Sequence, residues 1–103
     1  MTPHAERLLE VYEQELTRAI VARPAEYALG QLGNPTDPAA YAARFTAKVR
    51  ASIHAYGTID GVAIDGSASW RATAKVLGLK CTRKAMNAYI ALTPAYVEEG
   101  GRS

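Results

Sequence analysis

The sequence predicts an all-α, single-domain bundle of four to five helices. Three observations carry that reading. The apolar set is led by alanine, with six Tyr but one Phe and one Trp. Alanine is the best helix former, while the β-branched residues that favour strands are relatively few. Apolar residues recur at three- and four-residue steps in several segments, the period of a helix with one buried face. Those segments are bounded by cap-then-proline starts and glycine stops.

A chain of 103 residues with 49% hydrophobic and 21% charged residues is one domain's worth of globular polypeptide. The expected domain runs over 1–97, with a frayed C-terminal tail at 98–103. The first helix starts at Thr2, whose hydroxyl suits an N-cap, followed by Pro3 at the first helical position. Ala5, Leu8, Leu9, Tyr12, Leu16, Ala19 and Ile20 form its apolar stripe, and Pro24 pushes Arg23 out of helical geometry. Residues 24–29 read as a short second helix closed by Gly30. The turn-rich run from Gly30 to Asp37 reads as a loop.

Asp37-Pro38 repeats the cap-then-proline start. The stripe that follows is Tyr41, Phe45, Val49, Ser52, Ile53 and Tyr56, with Gly57 placed to stop the helix. Segment 58–66 holds two Asp-Gly pairs and reads as an ordered loop or tiny hairpin pinned by Ile59, Val62 and Ile64. A further helix runs from Ser67 or Ser69 to Leu77, with Gly78 ending it. Thr82 then caps a last one, which continues to about Leu92 before Pro94. Trp70, Leu77, Tyr89, Phe45, Val49, Leu16 and Tyr12 are the expected core.

The single Cys81 excludes an internal disulfide and a Cys-rich metal site. No run has the length of a membrane span, and the N-terminus lacks the pattern of a secretory signal, so a cytoplasmic protein with no membrane partner is expected. His4 and His54 have no ligand partners at metal spacing. Asp60 and Asp65 lack the dense oxygen ligands of a calcium loop. Nor do the glycines form a phosphate-binding loop. These patterns point to a non-enzymatic protein without a cofactor.

Charge is unevenly spread. Residues 1–65 carry six Lys/Arg against eight Asp/Glu, whereas residues 66–97 carry five Lys/Arg and no acid. Asymmetry of this kind suits an anionic partner. The basic stretch also has the grammar of helix, glycine-centred turn, helix at 68–92. Ala74 is small where two helices would cross, Gly78 supplies the turn, and Leu77 and Leu79 flank it. Arg71, Lys75, Lys80, Arg83, Lys84 and Asn87 are the candidate nucleic-acid-binding residues, because Arg and Lys neutralise phosphates or bond guanine and Asn pairs with adenine.

The Ala74-Lys75-Val76-Leu77-Gly78-Leu79 core resembles DNA-binding helix–turn–helix segments, a resemblance that covers about a fifth of the chain and implies double-stranded DNA as the partner. It departs from the usual pattern at one place. The aliphatic residue expected six positions after the turn glycine is Lys84, and the apolar residue arrives one later as Ala85. Either the turn is longer or this is a different helix pair. The string from Thr73 to Ile90 is also similar to small phage- and prophage-encoded proteins, which implies an accessory role.

A basic helix can equally be a solvated face, and a second function class therefore stands beside the first. Tyr and Trp are enriched at protein contacts. Tyr27, Tyr41 and Tyr96 are candidates for an aromatic surface that binds a protein partner or a second copy in a homodimer.

Overall fold

Helix α1 (Pro3–Ala22) is the axis of the fold, and the other three helices pack around it. They are α2 (Pro38–Tyr56), α3 (Ala68–Leu77) and α4 (Arg83–Ala91). The computed structural model describes residues 1–64 and 67–92 of the chain. Among these there is no strand, so the chain is an all-α single-domain bundle, and segment 58–64 is an ordered loop.

Each start follows local chemistry. The hydroxyl oxygens of Thr2, Ser67 and Thr82, and a carboxylate oxygen of Asp37, accept backbone N–H groups at the N-termini of α1, α3, α4 and α2 respectively. Pro3 and Pro38 occupy first-turn positions where no intrahelical N–H is needed. Gly57 and Gly78 close α2 and α3 with φ of 72° each, in the left-handed region.

Because α1 has neighbours on several sides, its buried face is wide. Ala5, Leu8, Leu9, Val11, Tyr12, Leu16 and Ile20 are all buried and span roughly half the helix circumference. Val11 lies outside the stripe expected from sequence, since a stripe assumes one packing partner. Tyr12 stacks on Trp70 of α3 with ring centroids 4.2 Å apart and planes 22° from parallel. Ile53 and Val49 of α2, Ala74 of α3, and Met86 and Ile90 of α4 complete the core with Ile59 and Ile64 from the loop. The hydroxyls of Thr46 and Thr73 are buried at no hydrogen-bond loss, because each donates to the carbonyl four residues back. Thr2 ties the two chain ends of the bundle together: its hydroxyl donates to the carbonyl of Ile90 at 2.6 Å.

Four expectations are corrected. Residues 24–29 do not form an α-helix: only Pro24–Glu26 make a 3₁₀ turn, after which Tyr27 is extended. That extension turns the Tyr27 ring edge-on to Tyr41, at 6.0 Å between centroids. Phe45, Leu77 and Tyr89 are half-buried at the margin of the core instead of inside it. Tyr56 is in phase with the α2 stripe yet 77% exposed, because it is the last helical residue and reaches past the end of the packed region. Of the expected tyrosine surface, Tyr41 is buried and Tyr27 half-buried, so neither supplies an open patch; Tyr96, Pro94 and the tail lie outside the described residues.

Candidate nucleic-acid interface

The six candidate residues separate into two groups by what their side chains do. Arg71 and Lys75 sit one turn apart on α3, and both are exposed. Lys80, in the segment joining α3 to α4, is also exposed, as is Lys84 in the first turn of α4. None of these four cations forms an ion pair among the described residues, whose four salt bridges all lie elsewhere. Their charges therefore face solvent.

Arg83 and Asn87 are half-buried and engaged with the loop. Nη1 of Arg83 donates to the carbonyls of Ile59 at 2.6 Å, Asp60 at 3.2 Å and Val62 at 2.6 Å. The side-chain amide of Asn87 donates to a carboxylate oxygen of Asp60 at 2.8 Å, and its carbonyl oxygen accepts the backbone N–H of Ile59 at 2.9 Å. This is a clamp. The bonds orient both half-buried side chains onto the loop, while Nε and Nη2 of Arg83 keep N–H donors outside the clamp. Sequence could not reveal it, since the bonded residues are 21 to 28 positions apart.

The joint between the helices is Gly78–Thr82, and the N–H of Leu79 donates to the carbonyl of Ala74 to close α3. Every extensive helix–helix contact involves α1, so α3 and α4 are each laid on α1 and not tightly against one another. Lys84 is exposed, and the residues that fasten α4 to the core are Met86 and Ile90, both buried. The connection is therefore long, and α4 is fixed by α1 and by the loop.

A second basic element lies on α2, within the net-acidic first part of the chain. Helix α2 carries Arg44, Lys48 and Arg50 and no acid. Two of the three are occupied. Arg44 donates to the Gly33 carbonyl at 2.6 Å, and Arg50 bridges to Glu6 at 2.7 Å. The hydrogen bond from Arg50 holds the Glu6 carboxyl below its ordinary range, although both groups are about half exposed. Lys48 places its ammonium 4.8 Å from the centre of the Phe45 ring.

Other reactive groups do not converge with the basic surface. Cys81 is exposed in the joint, and His54 is exposed on α2. His4 stands edge-on to Tyr89 at 4.9 Å, and its buried Nδ1 has no hydrogen-bond partner among the described residues. Within those residues no three His, Cys, Asp or Glu side chains come together as a metal site, and no helix is long and apolar enough to cross a membrane. No protein-family model matches the chain, no curated protein is significantly similar to it, and no solved structure matches it at that level.

Proposed function

We propose that this chain is a non-enzymatic nucleic-acid-binding protein, of the accessory kind found in phages, that holds the phosphate backbone through Arg71, Lys75, Lys80 and Lys84. The observation that carries this reading is the exposure of four cations on α3, the joint and α4 with no carboxylate bonded to any of them among the described residues. Cations left in solvent on one segment attract a polyanion and release its counterions on contact. The engagement of Arg83 and Asn87 by the loop favours phosphate contact over base reading, since phosphate contacts position a protein and base contacts specify sequence.

The test is fluorescence anisotropy with labelled nucleic acid across a salt series. Wild type is compared with a variant carrying Arg71→Ala, Lys75→Ala, Lys80→Ala and Lys84→Ala, its fold checked by circular dichroism. Binding that weakens with salt and is largely lost in the variant supports the proposal. Each removed phosphate contact lowers the log–log salt slope by about 0.7 to 0.9. Equal binding by both proteins, or none at low salt, rejects it.

A further inference from the structure

Beside loop 58–64 lies an open apolar groove of about 430 Å³, walled by Tyr12, Phe45 and Val49 on one side and by Val62 and Ala63 on the other. Tyr56 stands at its edge with most of its ring in water. The position of this ring is unusual for its register. It lies in phase with the buried stripe of α2, where a neighbouring element would ordinarily cover it, and it is 77% exposed. Lys48 also lines the groove, and no carboxylate does among the described residues.

The groove and α4 are joined through one residue. Val62 forms part of the groove wall, and its carbonyl accepts from Arg83 at 2.6 Å. Lys84 follows Arg83 in the first turn of α4 and is exposed. Ser52 fastens the other side of the loop, donating from its hydroxyl to the Thr58 carbonyl at 3.0 Å. The loop thus lies between Arg83 of α4, which donates to its carbonyls, and an aromatic groove lined by Lys48 on its α2 side. Asp60, the carboxylate on the loop among the described residues, has one oxygen taken by Asn87.

We infer that the groove takes an unstacked nucleobase on Tyr56, making single-stranded nucleic acid the preferred ligand of this protein. This deepens the proposed function and rests on it. A single strand can splay one base into a groove while its backbone follows cations, whereas paired bases in a duplex are not free to enter. Every base has a π-face, so an exposed aromatic beside a cation holds bases without selecting a sequence. That suits a surface whose sequence-reading side chains are already engaged. A phosphate next to the stacked base meets Lys48 on the groove wall, and the rest of the strand follows the exposed cations of the proposed surface.

The experiment compares a labelled 20-residue oligothymidylate with a labelled 20-base-pair duplex at matched salt. The proteins are wild type, Tyr56→Ala, Tyr56→Phe and a Lys80→Ala, Lys84→Ala variant. Tyr56 is exposed, so its substitutions should leave the fold intact, and circular dichroism checks this. Wild type should bind the single strand more tightly than the duplex. Tyr56→Ala should weaken single-strand binding roughly five- to a hundredfold while duplex binding stays unchanged, and Tyr56→Phe should restore it. In the complex, the Tyr56 ring protons should move upfield as a base stacks on them. Equal single-strand affinity for Tyr56→Ala and wild type, or a preference for duplex, overturns the groove assignment. If the lysine variant alone loses binding in that case, the basic-surface reading still stands. Absence of binding to either nucleic acid overturns both.

Discussion

The side-chain amide of Asn87, on α4, donates to a carboxylate oxygen of Asp60 at 2.8 Å and fixes the loop between α2 and α3 to a helix that follows both of them in sequence. The same side chain accepts the N–H of Ile59, whose side chain is fully buried. Asn87 therefore connects loop geometry to core packing. Replacing it with Ala leaves the Ile59 amide and one Asp60 oxygen without these partners. A loss of about 1–3 kcal/mol is expected, read by denaturant unfolding. Amide exchange at Ile59 should accelerate. Protection equal to wild type would show that the loop is held by burial of Ile59 alone.

Arg83 performs the larger share of the same task. Its three carbonyl acceptors span Ile59 to Val62, and one cationic donor serves all of them. Arg83→Ala should cost about 1.5–3 kcal/mol, the range for hydrogen bonds to a charged group. Arg83→Lys should recover only part of it, because an ammonium on a flexible stem loses the planar, pre-organised geometry of guanidinium. Combined with Asn87→Ala, the losses should be non-additive, since both residues hold one loop. Strict additivity in a double-mutant cycle would mean that they act on the loop independently.

The parts of this fold legible in the sequence are those decided within a few residues. Thr2, Asp37, Ser67 and Thr82 cap the helices where cap chemistry places them, and Gly57 and Gly78 stop α2 and α3. Roles that depend on distant partners were not legible. Arg83 and Asn87 have the same composition signature whether they face a phosphate or a loop carbonyl, and only the fold brings the loop to them. Tyr56 shows the limit of periodicity. Phase along a helix says which way a residue points, but not whether anything lies opposite it. The short 24–29 helix belongs with these cases: Tyr27 is extended after one 3₁₀ turn, with its ring edge-on to Tyr41 of α2, a contact that local propensity does not show.

Gly78 supplies the left-handed residue at which α3 ends and the α3–α4 joint begins. Its φ of 72° is a region that side chains carrying a Cβ adopt at a cost of about 1–2 kcal/mol, and a Cβ there would meet no atom within 4 Å. Gly78→Ala should therefore destabilise by that backbone term alone, about 1–2 kcal/mol, without a packing defect. Gly78→Asn should cost less, since Asn tolerates the left-handed region. The check is a pair of thermal melts. An Asn variant as unstable as the Ala variant would locate the cost outside the backbone.

Leu32 presents the opposite case. It is the one non-glycine residue with positive φ among those described, at 54°, and it is 90% exposed. The loop around it is braced by Gly30 donating to the Pro35 carbonyl, and by Asn34 bonding Gln31 and Ala28. These bonds hold the backbone regardless of the side chain at 32. Leu32→Asn should leave stability unchanged or raise it by up to about 1 kcal/mol, although it removes a leucine. Calorimetry decides: a loss greater than 1 kcal/mol would show that the leucine side chain contributes contacts that its exposure denies.

Alkaline titration tests the α1–α3 contact. Burial, with smaller contributions from Tyr27 and Tyr41, pushes the Tyr12 hydroxyl up to about 12. An unfolded tyrosine ionises near about 10. Between those values the unfolded chain has lost a proton that the folded chain keeps, so the unfolded state binds fewer protons and stability falls as pH rises. The slope approaches about 1.4 kcal/mol per pH unit, for a total on the order of 2 kcal/mol. Tyr27 and Tyr89 are raised by burial as well and add to the fall in the same direction. Tyr12→Phe keeps the stacking ring against Trp70 and removes the titrating group. Its unfolding free energy, measured against denaturant from pH 9 to 12, should decline less steeply than that of wild type. Parallel curves would mean that the Tyr12 hydroxyl reaches water, and that the Tyr12–Trp70 stack is open enough to hydrate it.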